Sequence, residues 1–178
     1  MKKTLKLTHS ALLCAAAVVL SMLESALPVP IFFLPGCRLG LSNLAVIIAI
    51  PLVGAGTAAS VCVVKALFIL VTRGVTAGFM SFFAGAVSLG VMLLLFYIGK
   101  FGYIGISIVS AAAHNTSQLA AAALLMWDIR VFNFIWIYLL LSIVTGALTG
   151  LVSGISVPPL CKALKALDRG LGSGRNES

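Results

Sequence analysis

Charge is what this sequence lacks most: only 9% of its 178 residues are Asp, Glu, Lys or Arg, whereas 61% are hydrophobic and the mean hydropathy is +1.19. A soluble domain carries roughly 45–50% apolar and about 25% charged residues, so water is the wrong solvent for this surface. The expectation is an all-α, polytopic membrane protein built as one compact bundle. A G-x-x-x-x-G-K-[ST] loop is also missing, so nothing in the chain is equipped to hydrolyse ATP. The cysteines, Cys14, Cys37, Cys62 and Cys161, form no C-x-x-C pair and have no histidine at ligand spacing. That argues against a structural zinc site and implies no disulfide framework. Net charge is +8, yet the basic residues are scattered over loops and ends, and no stripe exists to grip the phosphates of a nucleic acid.

What the chain does have is a succession of apolar runs. A helical span needs about 20 apolar residues, and six candidates follow one another: His9 to Leu27, Leu39 to Val53, Ala55 to Thr72, Gly78 to Ile98, Gly102 to Met126, and Val131 to Ile155. The first stops at Pro28 and Pro30, since proline removes a backbone donor and restricts the residue before it. Glycines and short polar interruptions make the other breaks, and connections this short force successive helices to run antiparallel. The 17 glycines, with many alanines and serines, suit close approach of helices within lipid.

An even number of spans puts both termini on one side. Lys2, Lys3, Lys6, Lys100, Lys162, Lys165, Arg169 and Arg175 then share that side, against Arg38, Arg73 and Arg130 on the other. The Lys-rich side is expected to be cytoplasmic. The basic start followed by an apolar run also fits a secretory signal peptide, but a chain embedded throughout needs an orienting helix, and retention as the first span is expected. Residues 1–160 read as the bundle and 161–178 as a basic cytoplasmic tail, amphipathic at first and disordered from Gly170.

A polar side chain inside a bilayer costs several kcal/mol unless it faces protein or a water-filled cavity. The candidates for a solute-binding site are therefore Glu24, Arg38, Asn43, Lys65, Arg73, His114, Asn115 and Gln118, which cluster in the outer half of the expected topology. His114 and Gln118 are four apart and share a helical face, and Asn115 is three from Gln118. The plain alternative is polar glue, with these groups bonding one another across helices. Lys65, near mid-membrane, fits that alternative least. Glu24 is placed to neutralise Lys65 or Arg38, leaving a net positive site for a polar or anionic ligand. Gly36 to Gly40 precedes a helix start, either an anion-attracting end or an ordinary glycine turn. Ala11-x-x-x-Ala15 permits close approach of another helix, internal or external.

Arg38-Leu39-Gly40-Leu41-Ser42-Asn43 and Ala113-His114-Asn115-x-x-Gln118, with Glu24 shortly before Pro28, carry a resemblance over about Leu12 to Gly154. The chain resembles the Gx transporter family, often labelled heptaprenyl diphosphate synthase component I, which is similar to the substrate-binding S components of energy-coupling factor (ECF) transporters. The family pattern has Lys where this chain has Arg38 and Arg where it has Lys65, so charge is kept and bidentate geometry is not. The resemblance implies a six-helix S-component fold, a pocket opening outward, and Arg38, Asn43, Lys65, His114, Asn115 and Gln118 as lining residues. It also implies that Ala11 and Ala15 meet a transmembrane coupling subunit, itself joined to cytoplasmic ATPases. No cofactor is expected.

The enzymatic label invites a second reading, an accessory subunit of polyprenyl diphosphate synthesis. Catalysis by this chain alone is not expected: a trans-type prenyl synthase needs D-D-x-x-D segments, and the chain has two aspartates, Asp128 and Asp168, far apart. A third reading is a ligand-free intramembrane scaffold.

Overall fold

The computed structural model describes the backbone of residues 3–26 and 40–173, and it is helical wherever it is regular. The helices are α1 (Lys3–Ala26), α2 (Asn43–Leu52), α3 (Ala55–Arg73), α4 (Val75–Ile98), α5 (Tyr103–Met126) and, after a 3-10 turn at Ile129–Phe134, α6 (Ile135–Ser173). Each packs on its neighbours in a closed order, α1, α3, α4, α5, α6, α2 and back to α1, with α2 also against α3.

The six helices expected from the apolar runs are present in one bundle. Among the described residues, four segments are by length and composition apolar enough to cross a membrane: α1, α3, α4, and the 3-10 turn with α6. Helix α2 has ten residues, which at the helical rise is about 15 Å, half of a hydrocarbon core of about 30 Å. Helix α5 equals α4 in length at 24 residues, but its serines, His114, Asn115 and Gln118 dilute its hydropathy. It is held between α4 and α6 all the same.

The sixth helix also runs on where a stop was expected near Ile155, continuing through Pro158 and Pro159 to Ser173. Proline fixes φ at a helical value but brings no N–H, so the pair forfeits two backbone donors within a helix that continues past it. The disorder expected from Gly170 falls partly on described backbone, which is helical to Ser173. Residues 174–178 lie outside the described residues, as do Pro28, Pro30, the Gly36 turn, Cys37 and Arg38.

The bundle buries many polar side chains beside its apolar core and turns large apolar ones outward. Leu67, Phe82, Leu94, Leu140, Val144 and Leu148 are exposed, while Ser88, Ser107, Ser110, Ser142, Thr149 and Ser153 are buried. Trp127 and Trp136 at one end and Tyr97 at the other stand almost fully exposed, where amphipathic rings meet lipid headgroups. This is a membrane protein with a bilayer around its waist.

Helices α3 and α4 form a hairpin through Gly74 alone, at φ +92°, a conformation that L side chains rarely adopt. Helices α5 and α6 cross backbone to backbone. A Cβ added at Gly146 would stand 2.6 Å from Ile108 Cα, and one at Gly150 2.6 Å from Ile104 Cα. That closeness lets Ser107 and Thr149 share a 2.6 Å hydrogen bond and lets Asn115 Nδ2 donate to Ser142 Oγ at 2.8 Å. The Gly146-x-x-x-Gly150-x-x-x-Gly154 spacing in the sequence carries this seam, a stronger signal than the alanine pair on the first helix.

Contacts also fix which ends lie together. Ser10 and Thr57 hydrogen bond at 2.8 Å, the Cys161 thiol reaches Pro51 O at 3.9 Å, and Tyr103 lies beside Gly154. Lys6, Lys100 and Lys162 therefore share one end, while Arg73 and Arg130 sit at the other.

Candidate functional site

At the arginine end, three helices are joined through buried polar groups. The Glu24 carboxylate, on the last turn of α1 and 7% exposed, accepts the backbone N–H of Gly40 and, at the long limit of 3.5 Å, the hydroxyl of Ser42. Gly40 precedes the start of α2, where N–H groups lack helical partners and favour a negative group. The anion that meets this helix start is thus the protein's own carboxylate. Gly40 adopts φ +74°, and its carbonyl accepts the N–H of Asn43 at 2.9 Å, which closes the turn.

One residue beyond Ser42, the Asn43 side chain accepts a hydrogen bond from Lys65 Nζ at 2.9 Å. Lys65 is 3% exposed, and Asn43 8%. An ammonium removed from water is costly unless its surroundings answer it, and the Asn43 amide oxygen is one of the groups that does. Glu24 thus organises the start of α2, and Asn43 on α2 orients Lys65 of α3.

His114 and Gln118 are both 2% exposed on the buried side of α5. Their depth can be set beside that of Lys65. Lys65 stands eight residues before the end of α3 and Gln118 eight before the end of α5, so each lies about 12 Å below the arginine end at 1.5 Å per residue.

The remaining candidates fall elsewhere. Asn115 turns to α6 and bonds Ser142, whose own hydroxyl donates to Tyr138 O at 2.6 Å. That is the polar-glue role. Asn115→Leu should cost roughly 1 kcal/mol of bundle stability, about what an interhelical hydrogen bond is worth in a membrane, and leave solute retention unchanged. A thermal-unfolding series with a retention assay checks both halves. Arg73 is exposed at the end of α3, and Arg38 lies outside the described residues. Ala11 and Ala15 are exposed on α1, with Leu7 and Leu12 beside them.

Three buried serines join this region without having been anticipated: Ser21, Ser42 and Ser81. Ser42 sits within the quoted Arg38 to Asn43 motif, and that was its signal. Ser21 lies one turn before Glu24. Ser81 gives none, because a serine barely disturbs the hydropathy of a span.

The family model described as heptaprenyl diphosphate synthase component I matches residues 13–155, from within α1 through α5 and into α6. No curated protein and no solved structure matches. The matched segment includes Glu24, Asn43, Lys65, His114 and Gln118 as well as the glycine seam, so the chain belongs to the heptaprenyl diphosphate synthase component I family.

Proposed function

We propose that this chain is the solute-binding subunit of a membrane transporter, similar in role to the S components of ECF transporters. It takes a polar or anionic solute into a chamber near the arginine end and is not itself an enzyme. The observation that carries this reading is Lys65, a buried cation held in place by Asn43 inside an otherwise apolar shell. Buried charge in a membrane bundle is expensive, and a role in recognising a polar or anionic solute explains why it is kept. The Lys-rich end, with Lys6, Lys100 and Lys162, is then cytoplasmic together with both termini, and the chamber faces outward. Energy comes from partners. The exposed Ala11 and Ala15 offer a smooth face to a transmembrane coupling subunit, which in turn joins cytoplasmic ATPase subunits.

The family name favours a second reading, an accessory membrane subunit associated with heptaprenyl diphosphate synthesis. A buried lysine suits a diphosphate as well. Native mass spectrometry of gently solubilised protein separates the two. A small polar or anionic solute retained by the chain, and lost on exchange with excess ligand, is the expected result. A retained prenyl diphosphate would move the assignment to the second reading. A chain that retained and bound nothing, and joined no coupling subunit, would be a scaffold.

A further inference from the structure

The interior of the bundle contains polar oxygens that the protein leaves unanswered. Ser81 on α4 and Gln118 on α5 are each 2% exposed, and among the described residues neither Ser81 Oγ nor Gln118 Oε1 has a hydrogen-bond partner. Buried groups of this kind are rare in folded proteins, because an unmet donor or acceptor forfeits its hydration for nothing.

Their placement relates them to Lys65. Helix α4 stands between α3 and α5, and Ser81 belongs to its buried stripe with Ala84, Ser88 and Met92. In the α3–α4 hairpin Gly78 meets Leu70 and Gly85 meets Cys62, so Ser81 falls within about one turn of the level of Lys65. Gln118 lies at that same depth on the next helix. Three consecutive helices thus present a cation, a hydroxyl and an amide to the inside of the bundle at one level.

We infer that Ser81 and Gln118 are specificity-determining residues of the chamber, and that its solute joins an anionic group facing Lys65 to N–H or O–H donors that answer Gln118 and Ser81. This rests on the solute-binding reading above. The amide oxygen of Gln118 only accepts, whereas the Ser81 hydroxyl adapts to either role. A fully ionised diphosphate offers acceptors alone and leaves the Gln118 oxygen stranded. A hydroxylated or heterocyclic carboxylate meets all three groups.

The test is thermal unfolding of the full chain in detergent with four probes: orotate and gluconate, which carry donors, and benzoate and inorganic pyrophosphate, which do not. Orotate or gluconate should raise the midpoint by about 3 °C or more at saturation, while the other two leave it in place. Affinity for the active probe should fall roughly tenfold in Ser81→Ala and in Gln118→Met. With no probe present, both variants should unfold at or above the wild-type midpoint, because each removes an unanswered polar atom. A lower probe-free midpoint would make both residues structural and overturn the inference. A pyrophosphate or benzoate shift that both variants retain would overturn it too, while leaving solute binding intact. No response to orotate or gluconate would reject the class of solute named here. The broader reading then stands or falls separately, on whether a solute copurifies and whether Lys65→Met releases it.

Discussion

Replacing Lys65 by methionine is expected to abolish solute retention while leaving the bundle folded. Methionine keeps the length and apolar stem of the side chain and removes only the ammonium. Truncating one partner of a buried, hydrogen-bonded charge pair typically costs a complex about 2–5 kcal/mol, which is a roughly 30- to 5000-fold loss of affinity. Folding responds differently. Asn43 Oδ1 loses its donor, at about 1–3 kcal/mol, but the expense of holding a charge at 3% exposure disappears with it. The two effects oppose, so the thermal midpoint should move little. Lys65→Arg keeps the charge and should retain part of the binding, changed by the planar fork of the guanidinium. Equilibrium dialysis of the copurified solute against wild type and both variants gives the answer, and undiminished retention by Lys65→Met would end the transport reading.

The largest effect on stability is expected at the α5–α6 crossing. In Gly146→Leu and Gly150→Leu the new Cβ alone would come within 2.6 Å of a backbone Cα on α5, which no rotamer change relieves. The helices must separate, losing the Ser107–Thr149 bond and the dispersion contacts around it. Overpacking of this kind costs roughly 1–3 kcal/mol and occasionally more, so each variant should unfold well below wild type in a thermal or detergent titration. Gly90→Leu is the matched control, since Gly90 is exposed and a Cβ there meets nothing within 4 Å. Removing a helix-interior glycine should leave stability unchanged or raise it slightly. Equal midpoints for Gly146→Leu and Gly90→Leu would mean that the seam does not hold the two helices as described.

Some of the architecture was legible because it follows from local chemistry. Helix α3 begins at Ala55, α4 ends at Ile98 and α5 ends at Met126, as the apolar runs indicate, because glycine or polar residues interrupt each run. The errors came where local rules conflict with context. The sixth run reads as ending at Ile155 but its helix continues through Pro158 and Pro159, and the second run, Leu39 to Val53, yields only ten helical residues. The first helix starts at Lys3 rather than at His9, since lysines near a helix end add no obstacle to helical backbone.

The candidate site divides in the same way. That Glu24, Asn43 and Lys65 matter could be argued from the expense of polar groups in lipid, without coordinates. Which of the polar residues face one another could not. Adjacent residues His114 and Asn115 are equally polar in the sequence, yet Asn115 is turned to Ser142 on α6. Arg73 looked like a site residue by depth, and the helix end leaves it exposed.

By itself the sequence determined the solvent, the helical class and the short list of residues whose burial needs a reason, because all three depend on the transfer energies of side chains taken one at a time. Only the tertiary structure decided the closed order of helices, the bonds that tie Glu24 to the start of α2 and Asn43 to Lys65, the glycine seam and the unanswered oxygens of Ser81 and Gln118. Those depend on distances between residues far apart in the chain, and a hydrogen bond is made or lost over less than an ångström.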